Sequence, residues 1–292
     1  MAAGGNPVFN GKNFRSATRG NQTAGFGTAT YAGQTYADQQ QLEHMYNQPS
    51  AGPAHTGRMT FDDVIVKTIL CLGVVLLGAA VPAFLLPGLA VPLMVLGMIG
   101  GLVLGLVNAF KREPVPGLIL AYAALEGLFV GGLTMILETQ FPGIALQAVV
   151  GTLVVFGVTL ALFKSGKVRA TPKAMKFFMI AIISYAVFSL VNLGLMLFGA
   201  TDGMFGLRSE GIPYTEGMFG FENGIPFGIV IGLLAIGLAA FSLIIDFTSI
   251  SEGVRAGAQQ KYSWSAAFGL TVTLIWLYVE ILRLIAIIRG SD

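Results

Sequence analysis

Seven long apolar segments follow one another from residue 60 to the end of the chain, and they limit what it can fold into. Each has about 20–27 residues, and about 20 helical residues span the hydrocarbon core of a bilayer. Only α-helices and closed barrels satisfy the backbone there, and the segments lack the alternating pattern of barrel strands. The sequence therefore predicts an all-α membrane protein, a seven-transmembrane-helix bundle, with spans at Asp62–Leu86, Leu89–Phe110, Val115–Leu137, Gly143–Phe163, Pro172–Phe198, Ile225–Phe247 and Trp264–Ile288.

The composition excludes several function classes. Charged residues make up 11% of the chain, whereas an ordinary soluble domain has about 25%. The net charge of +2 gives no argument for a nucleic-acid partner, and the single Cys71 excludes a disulfide framework. The only histidines, His44 and His55, precede the first apolar segment, so intramembrane zinc or Ser–His chemistry has no histidine to use. We therefore expect a protein that is not an enzyme and needs no cofactor.

The chain changes character near residue 58. Residues 1–58 are rich in Gly, Ala, Asn, Gln and Thr and contain almost no aliphatic run. Such a segment buries too little apolar surface to offset its ordering entropy, so we predict a disordered cytoplasmic tail. It would serve as a solvated tether or as an arm that docks a partner. Residues 59–292 form the predicted seven-helix transmembrane domain.

Basic residues lie in alternate loops and predict the orientation. Lysines and arginines mark membrane-proximal loops as cytoplasmic, while acids contribute little to this rule. The longest loop on the other side has several acids, including Glu210, and only Arg208 against them. We predict a multi-pass protein with a cytoplasmic N-terminus and an outer C-terminus, in a topology that suits a bacterial plasma membrane. The loop cations are Lys111, Arg112, Lys164, Lys167, Arg169, Lys173, Lys176, Arg255 and Lys261.

Polar residues inside the predicted spans recur at the spacing of one helix face. Side chains at i, i+4 and i+7 share a face, and polar groups that faced lipid would be unsatisfied. We therefore expect a polar interior lined by the third, fifth, sixth and seventh segments. Its residues are Tyr185, Ser189 and Asn192; Ser242, Asp246 and Ser249; Trp276, Glu280 and Arg283; and Glu126.

Asp246 and Glu280 are each the only acid in their segment. An ionised carboxylate at the bilayer centre costs about 2.5–3.5 kcal/mol on insertion scales, so such groups usually serve a function. Two carboxylates that share a site exchange protons with changing pH, and the sequence predicts a pH sensor or gate if they meet. Simpler interpretations stay open: Asp246 pairs with Arg255, Glu280 pairs with Arg283, and Glu126 makes a helix contact.

Three stretches resemble the transmembrane Bax inhibitor motif family. Phe241–Phe247 and Leu277–Leu284 resemble the end of that family, and Ala123–Gly131 is similar to the glycine pattern of its third helix. The likeness covers about residues 60–290. It implies a seven-helix bundle whose last helix is central.

The resemblance also implies a function, since prokaryotic relatives are linked to a pH-sensitive calcium leak. Their sixth and seventh helices each carry an aspartate, and the two share protons. Asp246 matches the first, and Glu280 stands at the second with one more methylene. The resemblance makes these two the sensor and gate and the transient Ca²⁺ ligands. Supporting polar residues would be Glu126, Arg283, Asn192 and Ser242. Calcium prefers several oxygen ligands, so passage of Ca²⁺ fits this interior better than storage.

A second function class stays open at this point. The protein could be a non-conducting membrane regulator that binds another membrane protein through its bundle face and tail. The lipid bilayer is the expected partner in both cases. The sequence does not determine the oligomeric state.

Overall fold

The computed structural model describes residues 57–166, 170–201, 204–212, 215 and 224–290. Most of the predicted tail, residues 1–56, lies outside the described residues. In the described part, seven helices are long and apolar enough to cross a membrane, which confirms the predicted fold class. They are α1 (Phe61–Ala80), α2 (Ala90–Phe110), α3 (Pro116–Gln140), α4 (Ile144–Lys164), α5 (Pro172–Leu197), α6 (Phe227–Arg255) and α7 (Ser263–Gly290).

Capping residues and prolines account for where the helices begin. The side chain of Thr60 accepts a hydrogen bond from the Asp63 amide at 3.1 Å, and Thr171 caps α5 in the same way. Proline lacks the amide hydrogen that a helix interior needs, and Pro116 and Pro172 stand in first turns. After α1 the chain widens into a π-helical turn at Val81–Leu85 that contains Pro82.

Helix α6 is longer than the apolar run predicted. The predicted segment ended at Phe247, but the helix continues to Arg255. The added turns are polar in composition, yet they keep a buried face with Ser249, Ile250 and Gly253. The continuous apolar run therefore ends about two turns before the helix itself. The helix stops where Gly257 adopts a left-handed conformation with φ of +65°.

The last helix lies at the centre of the bundle, as the family resemblance implied. Seventeen of the 28 residues of α7 are buried, whereas α5 buries only three of 26. Helix α7 packs against α1, α3, α4 and α6. Any side chain projecting from the middle of α7 is therefore held inside protein rather than in lipid.

Glycines let the backbones of α1, α2 and α3 approach closely. A Cβ atom on Gly127 or Gly131 would lie less than 3.0 Å from the α1 backbone, and one on Gly97 would meet the α3 backbone just as closely. Helices in lipid gain no hydrophobic stabilisation by packing together. Small residues at such positions let them associate through close van der Waals packing.

The chain before α1 is attached to the loop between α6 and α7. The Met59 amide donates to the Ala258 carbonyl at 2.7 Å, and the Gln260 amide donates to the Gly57 carbonyl at 2.8 Å. Met59 is only 1% exposed. These two bonds flank an isolated antiparallel bridge between Arg58 and Gln259, so the last residues of the predicted tail contact the α6–α7 loop.

Candidate functional site

Glu280 lies at the centre of a buried polar cluster. Its side chain is 2% exposed. Tyr185 of α5 donates to its Oε1 atom, and Arg283, one turn along α7, donates to the same atom at 2.7 Å. Arg208 donates from Nη1 to Oε2 at 3.3 Å. The predicted Glu280–Arg283 pair is therefore present, but it is only part of a larger network.

Arg208 comes from the loop between α5 and α6 and turns back into the bundle. It ends a 3₁₀ turn, Gly206–Arg208, and it is 3% exposed. Its Nη2 atom donates to the Tyr185 hydroxyl and to the Ser189 hydroxyl, both at 3.0 Å. Its guanidinium also lies 5.3 Å from the ring centre of Tyr185 and 5.5 Å from that of Phe188. The guanidinium thus joins α5 to α7.

Asn192 holds the turn that carries Arg208. Its Oδ1 atom accepts from the Leu207 amide at 2.8 Å, and its Nδ2 atom donates to the Phe205 carbonyl at 3.1 Å. Gly206 completes the turn with φ of +60°, a conformation that glycine adopts at little cost. Asn192 therefore positions Arg208 through the backbone of the turn.

The sequence interpretation missed Arg208. We counted it only as the one cation of an acidic loop and gave it no place among the interior residues, whereas the structure buries it. It enters the bundle because the stripe of Tyr185, Ser189 and Asn192 offers acceptors and an anchor on one face of α5. Two signals pointed to it: it is the lone cation of its loop, and a buried acid on α7 needed compensation.

Two arginines against one carboxylate give this cluster an excess positive charge of one. Breaking a buried ion pair by removing one partner is strongly destabilising, because the remaining charge stays desolvated. The arrangement is a buried contact between α5, α7 and the 3₁₀ turn in which the Glu280 carboxylate is neutralised and one arginine charge is left in excess. It presents positive charge, not a carboxylate ligand set, to an approaching cation.

Asp246 is completely buried on α6, and its Oδ2 atom accepts a hydrogen bond from Thr273 of α7 at 2.7 Å. Thr273 precedes Glu280 by seven residues, a rise of about 10 Å along α7. The bond to Thr273 therefore places the Asp246 carboxylate of α6 beside α7, about two helical turns before Glu280. Their role as a sensor pair stays a prediction.

A family model described as Bax inhibitor 1 like matches residues 6–290, nearly the whole chain. The chain belongs to the Bax inhibitor 1-like family. The match begins at residue 6, so it extends well beyond the 60–290 range over which we saw the resemblance. No significant match was found among curated proteins.

The other predicted site residues of this Bax inhibitor 1-like chain lie in different places. Ser242 is buried on α6, one turn before Asp246. Glu126 faces α2, since a Cβ atom on Gly101 would lie 2.9 Å from its Oε1 atom. Gly101 leaves room for the Glu126 side chain at the α2–α3 contact, and the part of Glu126 in a shared polar interior stays a prediction.

Metal binding was predicted only as transient contact with Ca²⁺. Within the described ranges, no group of three or more His, Cys, Asp or Glu side chains is close enough to hold a metal ion. Calcium normally takes six to eight oxygen ligands. Among the described acids, Asp246 and Glu280 lie on different helices of this Bax inhibitor 1-like chain, and their transient contact with Ca²⁺ stays a prediction.

Proposed function

We propose that this protein is a pH-sensitive cation leak across a membrane, with Ca²⁺ as the permeant ion. Asp246 and Glu280 are its proton-sensing residues. It acts as a passage and not as an enzyme, and it requires no cofactor. The proposal rests on membership of the Bax inhibitor 1-like family and on the buried acids of α6 and α7.

The observation that carries the proposal is the burial of Asp246. The carboxylate is 0% exposed, lies within a membrane-spanning helix and accepts from the central helix. A charged acid in the bilayer interior is costly, and such residues commonly mark ion pathways and proton relays. Protonation of Asp246 removes a charge and adds an O–H donor, which weakens the hydrogen bond that Thr273 of α7 donates to the carboxylate.

The Glu280 cluster supports a closed resting state. Arg208 and Arg283 both donate to Glu280, and the excess positive charge opposes the entry of cations. Opening then requires that the network around Glu280 rearranges. In this proposal Asp246 and Glu280 take up protons at different depths of the bundle. Both changes affect the central helix α7, which carries Glu280 and donates to Asp246.

The orientation belongs to the same proposal. The loops after α2, α4 and α6 carry most of the loop cations and face the cytoplasm, together with the N-terminus. The C-terminus faces outward, and the membrane is a bacterial plasma membrane. Tags placed at the two ends, with accessibility measured in intact cells, test this orientation.

Calcium flux in liposomes tests the function. Purified protein is reconstituted with an internal Ca²⁺ indicator, and flux is followed across a pH range for wild type, Asp246→Asn and Glu280→Gln. Glu252→Gln is the control, because Glu252 is an exposed acid on the same helix as Asp246. Size-exclusion profiles test whether each variant is folded, and only folded variants are compared.

The expected result is a wild-type flux that changes with pH, a response lost in the two interior variants and kept in Glu252→Gln. No flux above empty liposomes from folded wild-type protein would overturn the leak. The non-conducting regulator that binds another membrane protein would then be the better interpretation.

A further inference from the structure

We infer that Arg208 is a latch that holds helix α5 against the central helix α7, and that α5 is the element that moves when the bundle opens. The effect on ion flux rests on the proposed leak. The displacement of α5 itself does not, and it can be measured without any permeant ion.

Helix α5 is the least embedded part of the bundle near the site. Its buried residues are Met175, Phe178 and Asn192, of which only the first two belong to an apolar cluster. That cluster lies in the first third of the helix and packs on α6, where the Phe178 and Phe241 ring centres are 5.3 Å apart. This apolar contact holds the first third of α5 against α6, and Ile182 and Tyr185 extend it toward the middle of the helix.

Beyond that cluster, a ring contact between Phe188 and Phe227 of α6, with centres 5.9 Å apart, and several polar contacts hold α5. Tyr185 and Ser189 both accept from the Arg208 guanidinium, and Tyr185 donates to Glu280 of α7. The Tyr185 ring also lies 5.8 Å from that of Trp276. On the lipid side, Leu190 is 69% exposed and Ile183 is 56% exposed. Loss of the guanidinium would remove the shared partner of Tyr185 and Ser189.

The attachment of the 3₁₀ turn to α5 and α6 fixes the position of the Arg208 side chain. Asn192 grips the 3₁₀ turn from α5, while Gly228 of α6 lies against Arg208, since a Cβ atom there would be 2.6 Å from the Arg208 carbonyl. The turn thus fits between α5 and α6, and its guanidinium reaches Glu280 of α7. A lysine has one ammonium and cannot reproduce separate bonds from two guanidinium nitrogens.

Spin-label distance measurements test the latch. Labels are placed at Leu190→Cys on α5 and Val150→Cys on α4 in a Cys71→Ala background. Both sites face outward, with exposures of 69% and 51%, and neither belongs to the polar cluster. Distances are measured in nanodiscs for the otherwise native chain, Arg208→Gln, Arg208→Lys and Arg255→Gln, the last being the same substitution at an exposed helix end.

The expected result is a mean distance that shifts or broadens by about 5 Å, the rise of one helical turn, in Arg208→Gln. Arg208→Lys should give an intermediate distribution, and Arg255→Gln should match the native chain. An unchanged distribution in folded Arg208→Gln overturns the latch. If that variant does not fold, the same distance is measured in the double variant Tyr185→Phe, Ser189→Ala. This variant removes the hydroxyls of α5 that bind the guanidinium and keeps the Arg208–Glu280 pair, and an unchanged distance in it overturns the latch.

Calcium flux on the same variants separates the latch from the leak. A changed distance with raised basal flux supports both the latch and its role in gating. A changed distance without flux keeps the latch and overturns the proposed leak. An unchanged distance overturns the latch whatever the flux shows.

Discussion

The guanidinium of Arg208 lies 3.3 Å from the Oε2 atom of Glu280, although 72 residues separate them and the arginine belongs to a loop. Both side chains are almost completely buried, at 4% and 2% exposure. A charge from outside the predicted spans therefore neutralises one inside them. This relationship makes the loop between α5 and α6 part of the interior of the bundle.

Replacing Glu280 by glutamine should destabilise the protein strongly. Arg208 and Arg283 would both lose their carboxylate, and an uncompensated buried charge costs about 3–5 kcal/mol. Thermal unfolding in nanodiscs should show a markedly lower midpoint for Glu280→Gln than for wild type. The exposed control Glu252→Gln should stay close to wild type, and equal midpoints for both variants would contradict the buried network.

The bond from Thr273 to Asp246 should be measurable by removing the hydroxyl. A hydrogen bond to a charged acceptor contributes about 1.5–3 kcal/mol, so Thr273→Val should lower the free energy of unfolding by up to that amount. Thr248→Val is the control, since the Thr248 hydroxyl bonds only to a carbonyl of its own helix, at 2.7 Å. A larger loss in Thr248→Val would argue against the interhelical bond.

Gly131 should not tolerate a methyl group. A Cβ atom there would lie less than 3.0 Å from backbone atoms of Ala79, and backbone cannot move aside as a side chain does. Overpacking of this kind costs about 1–3 kcal/mol, so Gly131→Ala should unfold at a lower temperature. Gly157 on α4 has nothing within 4 Å of the same position, and Gly157→Ala should be neutral or stabilising.

The contact between Met59 and the α6–α7 loop should protect the backbone amides of that loop from hydrogen exchange. Met59 is 1% exposed, and the adjoining backbone bonds occupy the Gln260 amide. Hydrogen exchange should find the Gln260 amide protected in wild type and faster in Met59→Ala, which removes the buried anchor. Phe61→Ala is a suitable comparison because Phe61 is 48% exposed. Unprotected Gln260 in the wild-type protein would show that the segment is not attached.

The length and hydropathy of the seven segments were enough to determine the all-helical membrane fold, because a backbone in hydrocarbon has few ways to bond. The i, i+4, i+7 spacing likewise predicted that Tyr185, Ser189 and Asn192 share a face, since helix geometry is local. Glu280 with Arg283 followed from the same rule. Side-chain relationships within one helix were therefore readable from the sequence.

Only the tertiary structure determined that Arg208, a residue of a loop, reaches the polar face of α5. Arg208 stands in a loop whose composition indicates solvent, and its burial depends on a turn that Asn192 and Gly206 hold. Glu126 is directed to α2 by a glycine on that helix, and the extra turns of α6 follow from packing rather than hydropathy. Contacts between distant segments depend on how the helices pack, and hydropathy along one chain does not contain that information.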